Sequence, residues 1–187
     1  FSSEILFGNY HSKRTTDIFD KTFSYKLEAK NVLKMSDYGI SQLYEDDGDL
    51  RKCQWQTQRD TEGNVGQFFV KYGDVTDNGF EFAKLLPMIR MSEMYLIKAE
   101  CTKDYKALNP IRKARNIPQL KSNIGLNGYI EDEYVREFIG EGQLFWYYKR
   151  KGVTSIPRLY NPSLQDMQIT NSTYVFDLPD SEQQLRK

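Results

Sequence analysis

Between Leu86 and Arg115 the chain carries two apolar stripes at three-four spacing, separated by a gap too short for anything but a tight reversal. In the first, Pro87–Cys101, Pro87 suits a helix start, and Met88, Met91, Tyr95 and Ala99 form a stripe along one face. In the second, Tyr105–Arg115, the stripe runs through Ala107, Leu108, Ile111 and Ala114 and stops before Pro118. With only Thr102 to Asp104 between them, the two are predicted to pack antiparallel as an αα-hairpin. Pro110 lacks a backbone N–H, so it either kinks the second helix or marks its true first turn. A loop with Asn123, Gly125, Asn127 and Gly128 leads into a third stripe, Ile130–Arg150, through Tyr134, Val135, Phe138, Ile139, Phe145 and Trp146. This reads as one long aromatic helix. Gly140 and Gly142 lie inside it, each costing roughly 1 kcal/mol against Ala, which suggests close approach of a neighbouring backbone.

The remainder is less periodic. From Phe1 to Phe80, turn residues at Gly39, Asp46-Asp47-Gly48-Asp49 and Thr61-Glu62-Gly63-Asn64 divide short apolar runs into loops, one or two short helices and a few short strands. Gln67–Tyr72, aromatic and β-branched between Gly66 and Gly73, reads as a strand. Beyond Gly152 the chain turns polar through Pro157 and Pro162, then extended over Tyr174–Leu178. Asp180 and Gln183 have capping-box spacing for a last short helix. The fold class expected is mainly α: tetratricopeptide-like helical hairpins with long irregular loops and a few short strands. The organisation expected is a single domain with a loop-rich ligand-side segment (1–84), a helical core (85–152) and an irregular C-terminal segment (153–187).

Composition excludes several function classes. Twenty-six basic residues balance twenty-six acidic ones, so no net field draws the chain to nucleic acid or an anionic membrane. No apolar run approaches the roughly 18 to 20 residues that cross a bilayer, and the mean hydropathy is −0.68. Phe1 is not a start residue and no lipobox cysteine precedes it, so the expectation is a processed chain or one lacking an N-terminal half. Cys53 and Cys101 have neither CxxC pairing nor nearby histidines and read as plain packing residues. The aromatic content, 14%, is the feature that stands out, because rings that do not fill a core are what sugars stack on.

Three segments, in order, resemble the C-terminal half of the SusD/RagB family. Leu86–Glu100 is close to that family's proline-led helix ending Y-L-I-x-A-E, and Ala107–Arg115 continues it like the family's A-L-x-x-L-N-x-V-R-x-R-A helix. Arg136–Arg150 resembles R-x-E-F-x-x-E-G-x-R-W-x-D-L-x-R, and Tyr174–Glu182 the closing P-I-P-x-x-E. Asp49-Leu50-Arg51 and Lys71-Tyr72 sit where the family places D-x-R and K-Y elements. Leu144 and Tyr147 depart from the pattern, standing where an Arg and an Asp are usual, which points to a divergent subgroup. The resemblance implies a non-enzymatic, helical binding lipoprotein of a Bacteroidetes outer membrane. It would hold a glycan or peptide polymer for a TonB-dependent (SusC-like) transporter, with membrane contact only through an N-terminal lipid anchor absent from this chain. It implies no cofactor and no nucleic acid.

Candidate residues divide between binding and scaffold. His11 is the sole histidine and has no nucleophile motif around it, so catalysis has little to work with. Glu137 and Glu141, four apart, and Glu93 and Glu100, seven apart, admit a carboxylate pair for glycoside hydrolysis or a metal site. Arg90, Arg112, Arg115, Arg136 and Arg150 supply enough guanidinium groups to make inter-helix ion pairs the better reading. Asp46, Asp47 and Asp49 around Gly48 lack the glutamate that closes a calcium loop and read as a surface turn. For ligand contact the candidates are exposed loop rings: Trp55, Tyr44, Tyr10 and Tyr38, with Trp146 assigned to the core. The rival to a polymer-binding subunit is a helical-repeat module whose only ligand is another protein, marked by a flat apolar patch rather than an aromatic groove.

Overall fold

The computed structural model describes residues 4–44, 46–73, 84–157, 165–179 and 181–182. The Asp180–Gln183 capping box lies outside the described residues. Strand β1 (Ile5–Tyr10) is followed by a π-helical turn, Thr15–Phe19, that runs into α1 (Asp20–Thr22). Next come β2 (Lys34–Met35), α2 (Asp37–Leu43), a 3-10 turn at Leu50–Gln54, and the hairpin β3 (Trp55–Arg59) and β4 (Val65–Phe69). The Thr61–Asn64 turn that closes this hairpin is pinned by Asp60, whose Oδ1 accepts from the backbone N–H groups of Glu62 (3.0 Å) and Asn64 (2.9 Å). These strands form an antiparallel sheet in the order β2-β4-β3.

Residues 85–90 correct the first sequence expectation. Leu85–Arg90 is a strand, β5, paired antiparallel with β1, and the helix α3 (Met91–Thr102) begins directly after it, four residues beyond the expected start at Pro87. Pro87 is tolerated there because the ladder is irregular: Phe7 faces Ile89 and Gly8 faces Pro87, leaving Met88 as a bulge residue. Gly8 permits the close pass, since a Cβ there would lie 2.9 Å from the Leu86 carbonyl oxygen. The buried stripe of α3 is consequently Ser92, Leu96 and Ala99 rather than the one containing Met88 and Met91.

Lys103, left-handed at φ 54°, ends α3, and Asp104 caps α4 (Tyr105–Ala114) by accepting from Lys106 N–H. This two-residue link folds α4 onto α3, with Pro110 accommodated inside α4. The expected loop glycine Gly128 belongs instead to α5 (Leu126–Phe138). The expected long third helix is two: α5 ends at Phe138, and α6 (Gln143–Lys151) begins after Gly140 (φ 75°) and Gly142 (φ 86°), both left-handed. What crowds Gly140 is a ring from the sheet, not a helix backbone: Phe69 Cε1 would lie 2.5 Å from a Cβ. A short β6 (Ser155–Ile156) pairs with β7 (Met167–Gln168), and Tyr174, expected in an extended run, closes a 3-10 turn at Asn171–Tyr174.

Two cores result. The helical one joins Leu96, Leu108, Ile111, Ile130, Phe138 and Tyr147 from α3 to α6. The other packs Phe19, Phe23, Leu43, Tyr44, Trp55 and Phe69 under the sheet. Cys53 and Cys101, expected to be buried, are both exposed, on a 3-10 turn and on the last turn of α3. No described helix is long and apolar enough to cross a membrane.

Candidate functional site

The seam between the two cores is ionic. Glu133, Arg136 and Glu137, three and four residues apart on α5, turn one buried face toward the N-terminal part. Arg51 meets it from the 3-10 turn: its Nη1 donates to Glu133 (2.7 Å) and Glu137 (3.0 Å), while Nε and Nη2 donate to Asp49 (2.9 and 2.6 Å). Arg90, at the end of β5, donates to the Glu137 carboxylate (2.9 Å), to its carbonyl (2.5 Å) and to Glu141 (3.1 Å). Arg115 adds two bonds to Glu137 (2.6 and 3.0 Å) and reaches Glu4 on the first described turn. Arg112 and Arg136 complete Glu133 (3.0 and 3.3 Å), and Lys71 is bonded to Glu141.

Every carboxylate on this seam therefore faces at least one cation, and most face two. Burial pushes the Glu137 carboxyl upward, but Arg115, Arg90 and Arg51 outweigh it and hold the group well below the usual carboxylate range. An acid kept ionised cannot donate a proton to a leaving group, which is what a glycosidase acid must do. What the network does is tie residues 4, 51 and 71 to the helices through charge-assisted hydrogen bonds. Among the described residues no group of three or more His, Cys, Asp or Glu side chains is placed to hold a metal.

Of the scaffold residues named from sequence, Arg90, Arg112, Arg115, Arg136, Glu137 and Glu141 meet here. Glu100 and Arg150 pair elsewhere, on the surface, through two 2.8 Å bonds, with Lys151 at 3.3 Å. Glu93 joins neither group and forms no ion pair with a described residue; burial raises its pKa, opposed by Arg90. Sequence reasoning missed Glu133, Asp49, Arg51 and Lys71 as pair members. The signal was present in the Asp49-Leu50-Arg51 and Lys71-Tyr72 elements, whose spacing does not reveal that a partner lies more than sixty residues away. The aspartates around Gly48 are likewise spoken for: Asp47 pairs with Lys52 (2.7 Å), Asp46 accepts from Gly48 N–H (2.7 Å), and Asp49 is buried on Arg51.

The aromatic candidates separate into two pairs. Trp55 and Tyr44 are not exposed loop rings: they are 6% and 1% accessible, and Trp55 Nε1–H donates to Tyr44 Oη at 3.1 Å. Burial pushes the Tyr44 phenol up to about 12 despite that hydrogen bond. Strand alternation explains the reversal, because Trp55 stands opposite Phe69 on the sheet face that covers the second core. Tyr10, at the end of β1, and Tyr38, in the first turn of α2, are exposed at 60% and 51%. Trp146, assigned to the core from sequence, is 58% exposed, because the break at Gly140–Gly142 resets the helical phase and puts Tyr147 inside instead, stacked on Tyr134 at 4.0 Å.

Where the Trp55 face of the sheet leaves the core it becomes polar and forms a cleft of ≈ 380 Å³ lined by Lys34, Asp37, Thr57 and Gln67 among others. Gln67 Nε2 bridges Asp37 (2.9 Å) and Thr57 (3.0 Å), so an amide, a carboxylate and a hydroxyl converge beside α2, which carries Tyr38. A second cleft, of ≈ 400 Å³, opens on the ionic seam between Glu4, Arg51, Arg90 and Arg115.

A family model described as the SusD family matches residues 22–186. A crystal structure of a SusD-like carbohydrate binding protein from Bacteroides vulgatus ATCC 8482 superposes with a TM-score of 0.66 at 17% sequence identity. The match covers 97% of this chain and 47% of that one, so the chain spans about half the length of its structural neighbour. At this identity the likeness is one of fold. A search of curated proteins gave no significant match.

Proposed function

Because the chain belongs to the SusD family, we propose that it is a non-catalytic binding protein that holds a polymeric nutrient, a glycan, at the cell surface for delivery to a TonB-dependent outer-membrane transporter. The observation that carries this reading is the polar cleft on the β2-β4-β3 sheet. Lys34, Asp37, Thr57 and Gln67 offer donors and acceptors for sugar hydroxyls, and Tyr38 follows Asp37 with half of its surface exposed. Hydroxyl-bonding side chains suit the polar edge of a pyranose, and an exposed ring elsewhere on the same short helix is available for its apolar C–H face. The engagement of Glu133, Glu137 and Glu141 by arginine and lysine supports binding without bond cleavage. The solved neighbour is itself described as carbohydrate binding.

The protein-interaction reading draws on a different surface. The β1–β5 ribbon exposes Leu6, Phe7, Met88 and Ile89, each more than 40% accessible, and apolar patches of this kind suit a protein partner. Isothermal titration against plant, host and microbial polysaccharides separates the two. Saturable heat that weakens in Tyr38→Ala and Gln67→Ala supports the glycan site, whereas no heat with any polymer moves the function to the apolar ribbon.

A further inference from the structure

We infer that the exposed ring cluster shared by α6 and residues 174–176 is a second carbohydrate platform, built for an acidic polysaccharide whose uronate carboxylates meet Lys149. The inference rests on the glycan-binding reading above and adds to it a separate site and a ligand class. Phe145 is the hub. Its ring centroid lies 5.1 Å from Trp146, near perpendicular at 87°, and 5.1 Å from Phe176 at 32°. Tyr174 braces it from beneath at 5.7 Å, and the Tyr174 hydroxyl is itself fixed by donating to the Val153 carbonyl at 2.7 Å.

On this base Trp146 and Phe176 stand 6.2 Å apart at 62° and are 58% and 69% exposed. Two large rings held in place by other rings, rather than buried among them, lose little conformational freedom when a ligand stacks on them. A sugar presents a flat C–H face of about ring size, so a chain of sugars can lay successive residues on two such surfaces.

The charge at the platform selects among sugars. The last turn of α6 is Lys149-Arg150-Lys151, and Glu100 takes up Arg150 and Lys151. Lys149 pairs with no described carboxylate; its ammonium sits 5.6 Å from the Trp146 ring centroid instead. An ammonium held over a stacking ring gains more from an anion on the ligand than from a neutral hydroxyl, because the bond to the anion is charged on both sides. By contrast, the exposed residues of the β1–β5 ribbon named above include no tryptophan, so the two surfaces differ in chemistry as well as place.

The test uses polygalacturonate and its methyl ester, which share a backbone and differ in charge. Trp55 is buried, so acrylamide quenching of the wild-type chain reports Trp146. Polygalacturonate is expected to shield Trp146 from acrylamide and to bind more tightly than the ester. Trp146→Ala and Phe176→Ala should each weaken binding about 3- to 10-fold, and Lys149→Gln should abolish the preference for the acid. Both rings are surface residues, and far-UV dichroism confirms that the variants keep their fold. Wild-type binding of a polysaccharide that leaves Trp146 quenching unchanged and is undiminished in both ring variants overturns the platform while leaving the glycan reading intact. An ester bound as tightly as the acid overturns the role given to Lys149. Shielding of Trp146 by anionic phosphatidylglycerol vesicles but not by polygalacturonate overturns the platform in favour of a lipid-facing patch. Absence of binding to every polysaccharide overturns this inference together with the reading it rests on.

Discussion

Gly140→Ala isolates the contact that breaks the third helix. Gly140 is left-handed at φ 75°, and an added Cβ would lie 2.5 Å from Phe69 Cε1, 3.0 Å from Cζ and 3.4 Å from Phe23 Cε1. Phe69 has no room to yield: it is 0% exposed and wedged between Phe23 (5.4 Å) and Trp55 (5.1 Å). Gly142 provides the control, left-handed at φ 86° with nothing within 4 Å. Both alanines meet the left-handed backbone penalty of about 1–2 kcal/mol. Only Gly140→Ala adds the overpacking cost of about 1–3 kcal/mol, so the expectation is a loss of roughly 2–5 kcal/mol there against 1–2 kcal/mol at Gly142. Urea unfolding of the two variants, compared at constant slope, measures the difference. Phe69→Leu in the Gly140→Ala background closes the argument, because removing the obstructing ring should recover part of the loss in a double-mutant cycle. A Gly140→Ala variant no less stable than Gly142→Ala, or strictly additive double mutants, would refute the claim that Phe69 sets the break.

Three further outcomes are expected. Glu137→Gln, which leaves Arg51, Arg90 and Arg115 facing a neutral amide, should destabilise by about 3–5 kcal/mol, whereas Glu100→Gln, at a pair whose arginine is half exposed, should cost at most about 1 kcal/mol; thermal unfolding of both in parallel checks the contrast. Burial raises Asp60, but Lys34, Asn64 and the Glu62 N–H together bring it down to about 2, and Glu137 is likewise depressed, so their stabilisation is complete above the unfolded carboxylate pKa of about 4 and is lost as pH falls through the folded values. Urea midpoints should thus fall below about pH 4, and less steeply in Glu137→Gln. Tyr44→Phe strands the Trp55 indole N–H in the core and should cost about 1–3 kcal/mol without altering glycan titrations, which would separate this buried pair from any ligand site.

The stripes of α4 and α5 were readable because helical periodicity is local: Leu108, Ile111, Tyr134 and Phe138 recur at spacings that a helix alone puts on one side. Strand tendency near β4 was readable from the aromatic and β-branched content of Gln67–Tyr72, although the strand itself runs Val65–Phe69. The ion-pairing residues on the helices were legible as types, since Arg and Glu on buried stripes need partners. Which partner each takes was not. Arg51 finds Glu133 and Glu137, 82 and 86 residues away, through a fold that brings a short turn against a distant helix.

The sequence by itself determined that this chain makes helical hairpins with charges on their inner faces, and its motifs pointed to the SusD family. Only the tertiary structure decided the faces. Pairing with β1 turned 87–90 from helix to strand, since Pro87 can sit opposite Gly8 once a bulge relieves the ladder. Contact with Phe69 cut one predicted helix into two and rotated its second half, which carried Trp146 out to solvent and Tyr147 in. Cross-strand pairing with Phe69 took Trp55 the other way. A ring's chemistry is written in its own residue, but whether water or a core covers it depends on elements far along the chain, and no local pattern records that.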